Sequence, residues 1–245
     1  MDNVDLKAAS AHGVTVCNVP DYGTNEVADH GIALLLELVR KVGQANNDVQ
    51  AGIWDYARYI PVRRMSTLTV GIIGLGRIGS AFAKRAHAFG CKVIAYDIDY
   101  THAKADSELS FVELKDSMDE VLASSDVISL HCSLNESNAH FMNAQNFAKM
   151  KQGSFFVNVS RGGLVNEADL AQAVKSGHLS AAGIDVTCTE PLDANSPLRG
   201  CKNIVITPHM AWYAVEAASD LKTKCAQEAV RGAKGEPLRC PVNKI

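Results

Sequence analysis

Along this chain, short runs of β-branched and aliphatic residues alternate with segments whose apolar positions recur at helical spacing. Val14-Thr15-Val16-Cys17-Asn18-Val19 reads as a strand, halted by Pro20 and a turn from Asp21 to Gly23. One long helix is expected next, with Asn25 at its cap. Leu35, Leu38, Val39 and Val42 share a face, and the pattern fades near Gly52. From Thr67 the alternation becomes regular. Strands are predicted over 69–73, 92–96, 127–131, 154–158, 181–185 and 203–207. Helices are predicted over 77–89, closed by Gly90, over 117–123, and over 167–176, capped by Asn166 and ended by Gly177.

Strands separated by helices require right-handed crossovers, and hence a mostly parallel sheet. Nearly continuous apolar strands such as Val70-Gly71-Ile72-Ile73 suit a sheet covered on both faces. The predicted class is α/β, a doubly wound parallel sheet.

Composition narrows the partners. At 47% hydrophobic and 21% charged, the chain of 245 residues can bury a full core. A net charge of −3 offers no surplus to neutralise a phosphate backbone, so nucleic acid is not expected. The longest apolar run, 32–36, is too short to span a bilayer, and the residues after Asp2 and Asp5 do not read as a secretory signal. Seven scattered cysteines, none in a Cys-x-x-Cys, fit a reducing compartment, and no metal site is expected. A cytoplasmic enzyme follows.

Gly74-Leu75-Gly76-Arg77-Ile78-Gly79 matches G-x-G-x-x-G between a predicted strand and a predicted helix. Gly74 permits the tight turn, Gly76 presents no side chain to a pyrophosphate, and Gly79 lets the helix pack closely on the strand. A diphosphate would rest on the free N–H groups at the positive helix end. The plainer reading is a glycine-rich turn without a ligand. Asp97 ends the next strand, eighteen residues beyond Gly79. A carboxylate there accepts from ribose hydroxyls and repels a 2′-phosphate, which favours NAD over NADP; Asp99 competes for the role.

Three further motifs lie at or just past predicted strand ends, where open α/β sheets bind ligands. They are 155–163, the stretch 183–186 with Thr189-Glu190-Pro191, and Thr207-Pro208-His209. Oxidising a hydroxy acid needs a cation for the carboxylate, a base for the hydroxyl proton, and an acid that orients the base. Arginine's planar fork, histidine and a carboxylate have those properties. Arg161, His209 and Glu190 are residues of these types. Chemistry alone does not select this trio from eight histidines and many acids, and each also reads as an ordinary surface or turn residue.

The chain resembles the D-isomer-specific 2-hydroxyacid dehydrogenases across essentially its whole length. The likeness is carried by Asn18-Val19-Pro20, 71–79, Leu130-His131, Met150-Lys151-Gln152-Gly153, 158–165, Asp185, Glu190-Pro191 and Thr207-Pro208-His209. It implies that Arg161 binds substrate, His209 is the acid–base group and Glu190 supports it. It also implies a cofactor wall of Arg77, Ile78, Cys132, Val159, Ser160 and Asp185, with Asp185 near the carboxamide and Cys132 lining rather than reacting. Asp185 also reads as a strand-end acid bonded to nearby backbone. The stretches 131–136 and 209–213 are similar to the C-terminal-binding-protein branch, which implies that Trp212 lines the substrate pocket; a buried aromatic at a helix start is the other reading.

The resemblance further implies a Rossmann domain over 20–207, flanked by remnants (1–19 and 208–245) of a flavodoxin-like substrate domain. Met1 to Asp5 is similar to the tail of a familiar family segment, so the front of that domain, with its carboxylate-gripping loop, is expected to be missing. The helix from Asn25 implies a homodimer. The expected function is hydride transfer between NAD(H) and a small 2-oxo or 2-hydroxy acid. The alternative is an NAD-binding scaffold or inactive remnant. S-adenosyl-methionine chemistry on a similar turn is disfavoured by the Arg161, Glu190 and His209 motifs.

Overall fold

The computed structural model describes residues 4–245; Met1 to Asn3, at the front of the segment likened above to the family's, lie outside the described residues. The helices are α1 (Leu6–Ala11), α2 (Thr24–Arg40), α3 (Val42–Gln50), α4 (Arg77–Ala88), α5 (Thr101–Ala105), α6 (Met118–Ser124), α7 (Ala144–Lys149), α8 (Glu167–Lys175) and α9 (Val215–Lys234). The strands are β1 (Thr69–Ile73), β2 (Lys92–Tyr96), β3 (Glu113–Leu114), β4 (Val127–Leu130), β5 (Ser154–Asn158), β6 (Leu179–Ile184) and β7 (Ile204–Ile206). They form one sheet of order β3-β2-β1-β4-β5-β6-β7, and every pairing is parallel. The order reverses between β1 and β4, the crevice where doubly wound sheets take ligands.

Burial explains the strands. All of β4 and β5 is buried, as is β1 after its first residue, because helices cover both faces. Ile72, Ile94, Ile128 and Phe156 have essentially no exposure. On one side α4 inserts Phe82, Ala83 and Ala86. Asn166 caps α8 by accepting from the Ala168 and Asp169 N–H groups, as its sequence position predicted. Helix α2 lies close to α4 and to β6 because a glycine admits it at each contact. A Cβ on Gly31 would come 3.2 Å from the Phe82 ring, and one on Gly183 in β6 would come 3.1 Å from Leu34.

Two expectations are corrected. Residues 14–19 form no strand. Among the described residues their ladder contact is a single bridge from Cys17 to Pro241, and the pairing stops there because the Val16 N–H goes to the Asn243 side chain instead of the facing backbone. The long helix after Asn25 is two helices, since Lys41 adopts a left-handed conformation (φ 57°) between α2 and α3. There the Glu37 carboxylate accepts from the Gly43 N–H and so caps α3 in place of a continuing turn.

The chain divides into two compact units. One comprises the described part of Met1–Glu26 with Trp212–Ile245; the other is Val27–Ala211, which holds the sheet. In the first, the chain ends are knitted by Val242 N–H to Val16 O and by Val16 N–H to the Asn243 side chain. Among the described residues no helix is long and apolar enough to cross a membrane.

Gly71 exposes the tightness of this packing. A Cβ there would fall 2.1 Å from Ser125 Oγ and 2.7 Å from Val121. Gly71→Ala is expected to cost about 1–3 kcal/mol through overpacking, read as a lower urea midpoint with an unchanged m-value; an unchanged midpoint would refute the tight β1–α6 contact.

Candidate active site

Every singled-out residue of the larger unit sits on a turn leaving the carboxyl end of a strand, or on the helix that such a turn begins. After β1, Gly74 takes φ +95°, and a Cβ on it would lie 2.5 Å from the Cys132 nitrogen. Gly79 is packed as expected: its Cβ would meet the Gly74 carbonyl oxygen at 2.0 Å. Gly76 differs. It begins α4 as the N-cap without a side-chain cap, its φ of −75° suits any residue, and no atom lies within 4 Å of a Cβ placed there. Nothing in the protein demands glycine at this position. Exposed Arg77 and half-buried Ile78 open the same helix.

Asp97 leaves β2 and holds this turn in place. Its Oδ2 accepts from the Leu75 N–H at 2.5 Å and its Oδ1 from the Asp99 N–H at 3.0 Å. A carboxylate oxygen has a second lone pair, so both remain able to accept from a diol. Asp99 is exposed and turned onto Thr101, whose hydroxyl and N–H hold its carboxyl below the usual range. Gly74, Gly76, Asp97, Ile98, His131 and Cys132 share a cavity of about 490 Å³. Burial pushes the Cys132 thiol up to about 11, which makes it a poor nucleophile at neutral pH. Burial likewise lowers His131 to about 3; its Nε2 bonds Ser129 Oγ at 2.8 Å, and the ring packs against Phe82.

The turn after β5 carries Val159, Ser160 and Arg161. Asn158, which sequence reasoning passed over, is the pin: buried, it accepts from the Ser160 N–H and donates to the Arg161 carbonyl at 2.9 Å. Ser160 Oγ donates to the Cys132 carbonyl, so the ends of β4 and β5 are tied together. Val159 is buried, and Arg161 is exposed, with Nη1 donating to the Ser160 carbonyl. Gly162 then packs so closely on the next turn that a Cβ would lie 2.0 Å from the Thr187 carbonyl carbon.

Glu190 and His209 meet. Glu190 Oε2 is 2.6 Å from His209 Nδ1, and its other oxygen accepts from the Thr187 N–H at 3.0 Å. Both side chains are partly exposed and border a cavity of about 680 Å³ shared with Asp185, Thr187 and Pro208. His209 stands in the left-handed region at φ 51°. Asp185 is fully buried and its carboxylate is committed to the 207–211 turn. It accepts from Thr207 Oγ1 at 2.6 Å, Met210 N–H at 3.0 Å and Ala211 N–H at 2.8 Å. Trp212 belongs to the other unit, where its ring packs edge-on against Tyr22 and Tyr213.

Comparison with known proteins decides what this arrangement is. Residues 32–211 match the family described as D-isomer specific 2-hydroxyacid dehydrogenase, NAD binding domain. The chain belongs to the D-isomer-specific 2-hydroxyacid dehydrogenases. These are NAD-dependent oxidoreductases, and NAD is the cofactor of the matched domain. The chain is 41% identical to a hydroxypyruvate reductase of Blautia hydrogenotrophica, covering 98% of this chain and 75% of that protein. It is 39% identical to a D-3-phosphoglycerate dehydrogenase of Archaeoglobus fulgidus, covering 99% of this chain and 45% of that one. Among solved structures, a D-lactate dehydrogenase of Aquifex aeolicus in complex with NAD and lactic acid superposes with a TM-score of 0.87 at 29% identity, covering 96% of this chain and 74% of that chain.

The raised Cys132 thiol is directly measurable. With iodoacetamide at pH 8, Cys132 is expected to be alkylated more than about tenfold more slowly than an exposed thiol. Site-resolved mass spectrometry, with exposed Cys225 as the internal reference, checks this; equal rates would contradict a buried, protonated thiol.

Proposed function

We propose that this dehydrogenase interconverts a small 2-oxo acid and its D-2-hydroxy acid, with Arg161, Glu190 and His209 as the catalytic group. The observation that carries the reading is the 2.6 Å contact between His209 Nδ1 and Glu190 Oε2 at the sheet edge that also bears the glycine turn. A carboxylate only accepts, so it fixes the imidazole with its proton on Nδ1 and leaves Nε2 to exchange a proton with the substrate oxygen. Glu190 is itself aimed by the Thr187 N–H, so the ring is steered by backbone. When the ring carries a proton on both nitrogens, the adjacent carboxylate is its counter-ion.

In the reductive direction His209 Nε2 gives its proton to the 2-oxygen as that oxygen gains charge. The Arg161 guanidinium holds the substrate carboxylate with paired N–H donors and keeps the 2-carbon in register. The cofactor supplies the hydride when bound. For the cofactor, Gly76 is the supporting detail: it is a glycine that the protein itself does not require, at the positive end of α4. Arg77, Ile78, Cys132, Val159 and Ser160 complete the wall around Gly74 and Gly79. Asp97 receives the adenosine ribose and disfavours a 2′-phosphate.

Asp185 serves this site by organising the His209 turn. Trp212 is assigned to the substrate side. The unit containing Trp212–Ile245 is read as part of the substrate domain. The hydroxypyruvate reductase relative makes hydroxypyruvate the first substrate to try, followed by glyoxylate and pyruvate.

We further infer a homodimer in the cytoplasm. Following α2, the large apolar side chains of Val42, Trp54, Tyr56 and Ile60 are all exposed, Trp54 by 89%. Such a group is expected to be covered by a second copy. The free cysteines suit a reducing compartment.

Two experiments test these readings. NADH oxidation is followed across the 2-oxo acids for the parent and for His209→Ala. The variant is expected to lose about 10²–10⁴-fold in kcat while retaining NADH binding by fluorescence. Parent-like turnover by the variant would remove His209 from the chemistry, and NADH binding without oxidation of any substrate by the parent would favour a binding protein. Light scattering after gel filtration is expected to give a dimer for the parent and a monomer for Trp54→Glu; a monomeric parent would end the dimer proposal.

A further inference from the structure

His30 is absent from every motif discussed above, yet it sits at the end of a hydrogen-bonded line that leads to His209. It lies on α2, which Gly183 allows close to β6. Its side chain is 20% exposed. Its Nε2 is 2.9 Å from Thr207 Oγ1 and 3.6 Å from Asp185 Oδ1. Thr207 Oγ1 donates in turn to Asp185 Oδ1 at 2.6 Å.

The donors order themselves. The buried Asp185 carboxylate accepts from two backbone N–H groups, and the single Thr207 hydroxyl proton is directed to it as well. The hydroxyl is then left with lone pairs, and His30 must be the donor, with its proton on Nε2. Beyond Asp185 the line reaches the residue of interest. The Asp185 main-chain oxygen accepts from the His209 N–H at 2.8 Å. Its carboxylate accepts from the N–H groups of the next two residues, Met210 and Ala211. One buried residue therefore brackets His209 on both sides and holds it at a backbone conformation that a side chain-bearing residue rarely takes.

We propose that His30 is a positioning residue for His209, acting through the Thr207 hydroxyl and the Asp185 carboxylate. The proposal rests on the reading of His209 as the acid–base group. His30 supplies the last donor in the line and thereby sets the rotamer of Thr207, the seat of the Asp185 carboxylate and the left-handed turn at 209. A misplacement of the imidazole by a fraction of an ångström changes the proton-transfer geometry without altering the cofactor site.

The test uses the full chain and four variants: His30→Ala, His30→Gln, Thr207→Val and the double variant His30→Ala with Thr207→Val. Glutamine places an amide N–H near the position of Nε2. His30→Ala is expected to lower kcat about tenfold to a hundredfold, with NADH affinity within about twofold of the parent. His30→Gln is expected to recover most of that loss, and the double variant to lose no more than the worse single one.

A readout independent of turnover accompanies these. In nitrogen-15 spectra of the histidine side chains, the His209 ring resonances are expected to shift in His30→Ala and to return toward the parent in His30→Gln. Unchanged His209 resonances in His30→Ala would overturn the proposal. So would a glutamine variant as impaired as alanine, or additive losses in the double variant. If His209→Ala keeps parent turnover while the His30→Ala shift is seen, the acid–base assignment fails and the structural link survives, so the two failures are distinguishable.

Discussion

A parallel sheet imposes a constraint that the rest of this molecule obeys. Each strand must be followed by a crossover that returns the chain to the opposite edge, so all seven strands end on the same side. Turns leaving those ends are short of backbone partners and face one another across the sheet. The glycine turn after β1, the acid after β2, the arginine turn after β5 and the turns holding Glu190 and His209 all lie on that side for this reason. Residues far apart in sequence share one edge because they occupy equivalent places in a repeated unit.

Within that edge, precision comes from buried polar groups rather than from the reactive side chains. Asn158 is buried and holds the turn that presents Arg161. Asp185 is buried and holds the turn that presents His209. Both must satisfy their hydrogen bonds inside the protein, since water does not reach them, and the partners they take are turn backbone. Exposed Arg161 and His209 are carried by these buried clamps. The separation suits the roles proposed for them, because a group that is to meet substrate cannot also be locked into the core.

Much of this was legible in the chain. The sheet was readable because β1, β2 and β5 are apolar runs of strand length, bounded by turn residues and alternating with helical periodicity. The glycine turn was readable because three positions have separate physical reasons to be small. The individual placements of Arg161, Glu190 and His209 were legible only through likeness to known dehydrogenases, since nothing in spacing says that residues nineteen apart approach within 2.6 Å. Some features left no usable signal. Strand β3 is two residues long, too short to show a period, and α9 buries only Ala217 along its length. The break at Lys41 is marked by the Glu37 carboxylate folding back onto the Gly43 N–H six residues on, a contact that apolar periodicity does not report. Asn158 and His30 act through contacts that only the assembled turns create.

His209 has a consequence for how such proteins change over time. Holding a histidine at φ 51° costs on the order of 1–2 kcal/mol relative to a glycine free to adopt that conformation. Selection for thermal robustness alone would therefore favour glycine at this position, and selection for the proposed proton transfer would oppose it. The two pressures meet at one backbone angle. A lineage released from catalysis has an easy route to greater durability there, and the loss of that imidazole would record when its chemistry ceased to matter.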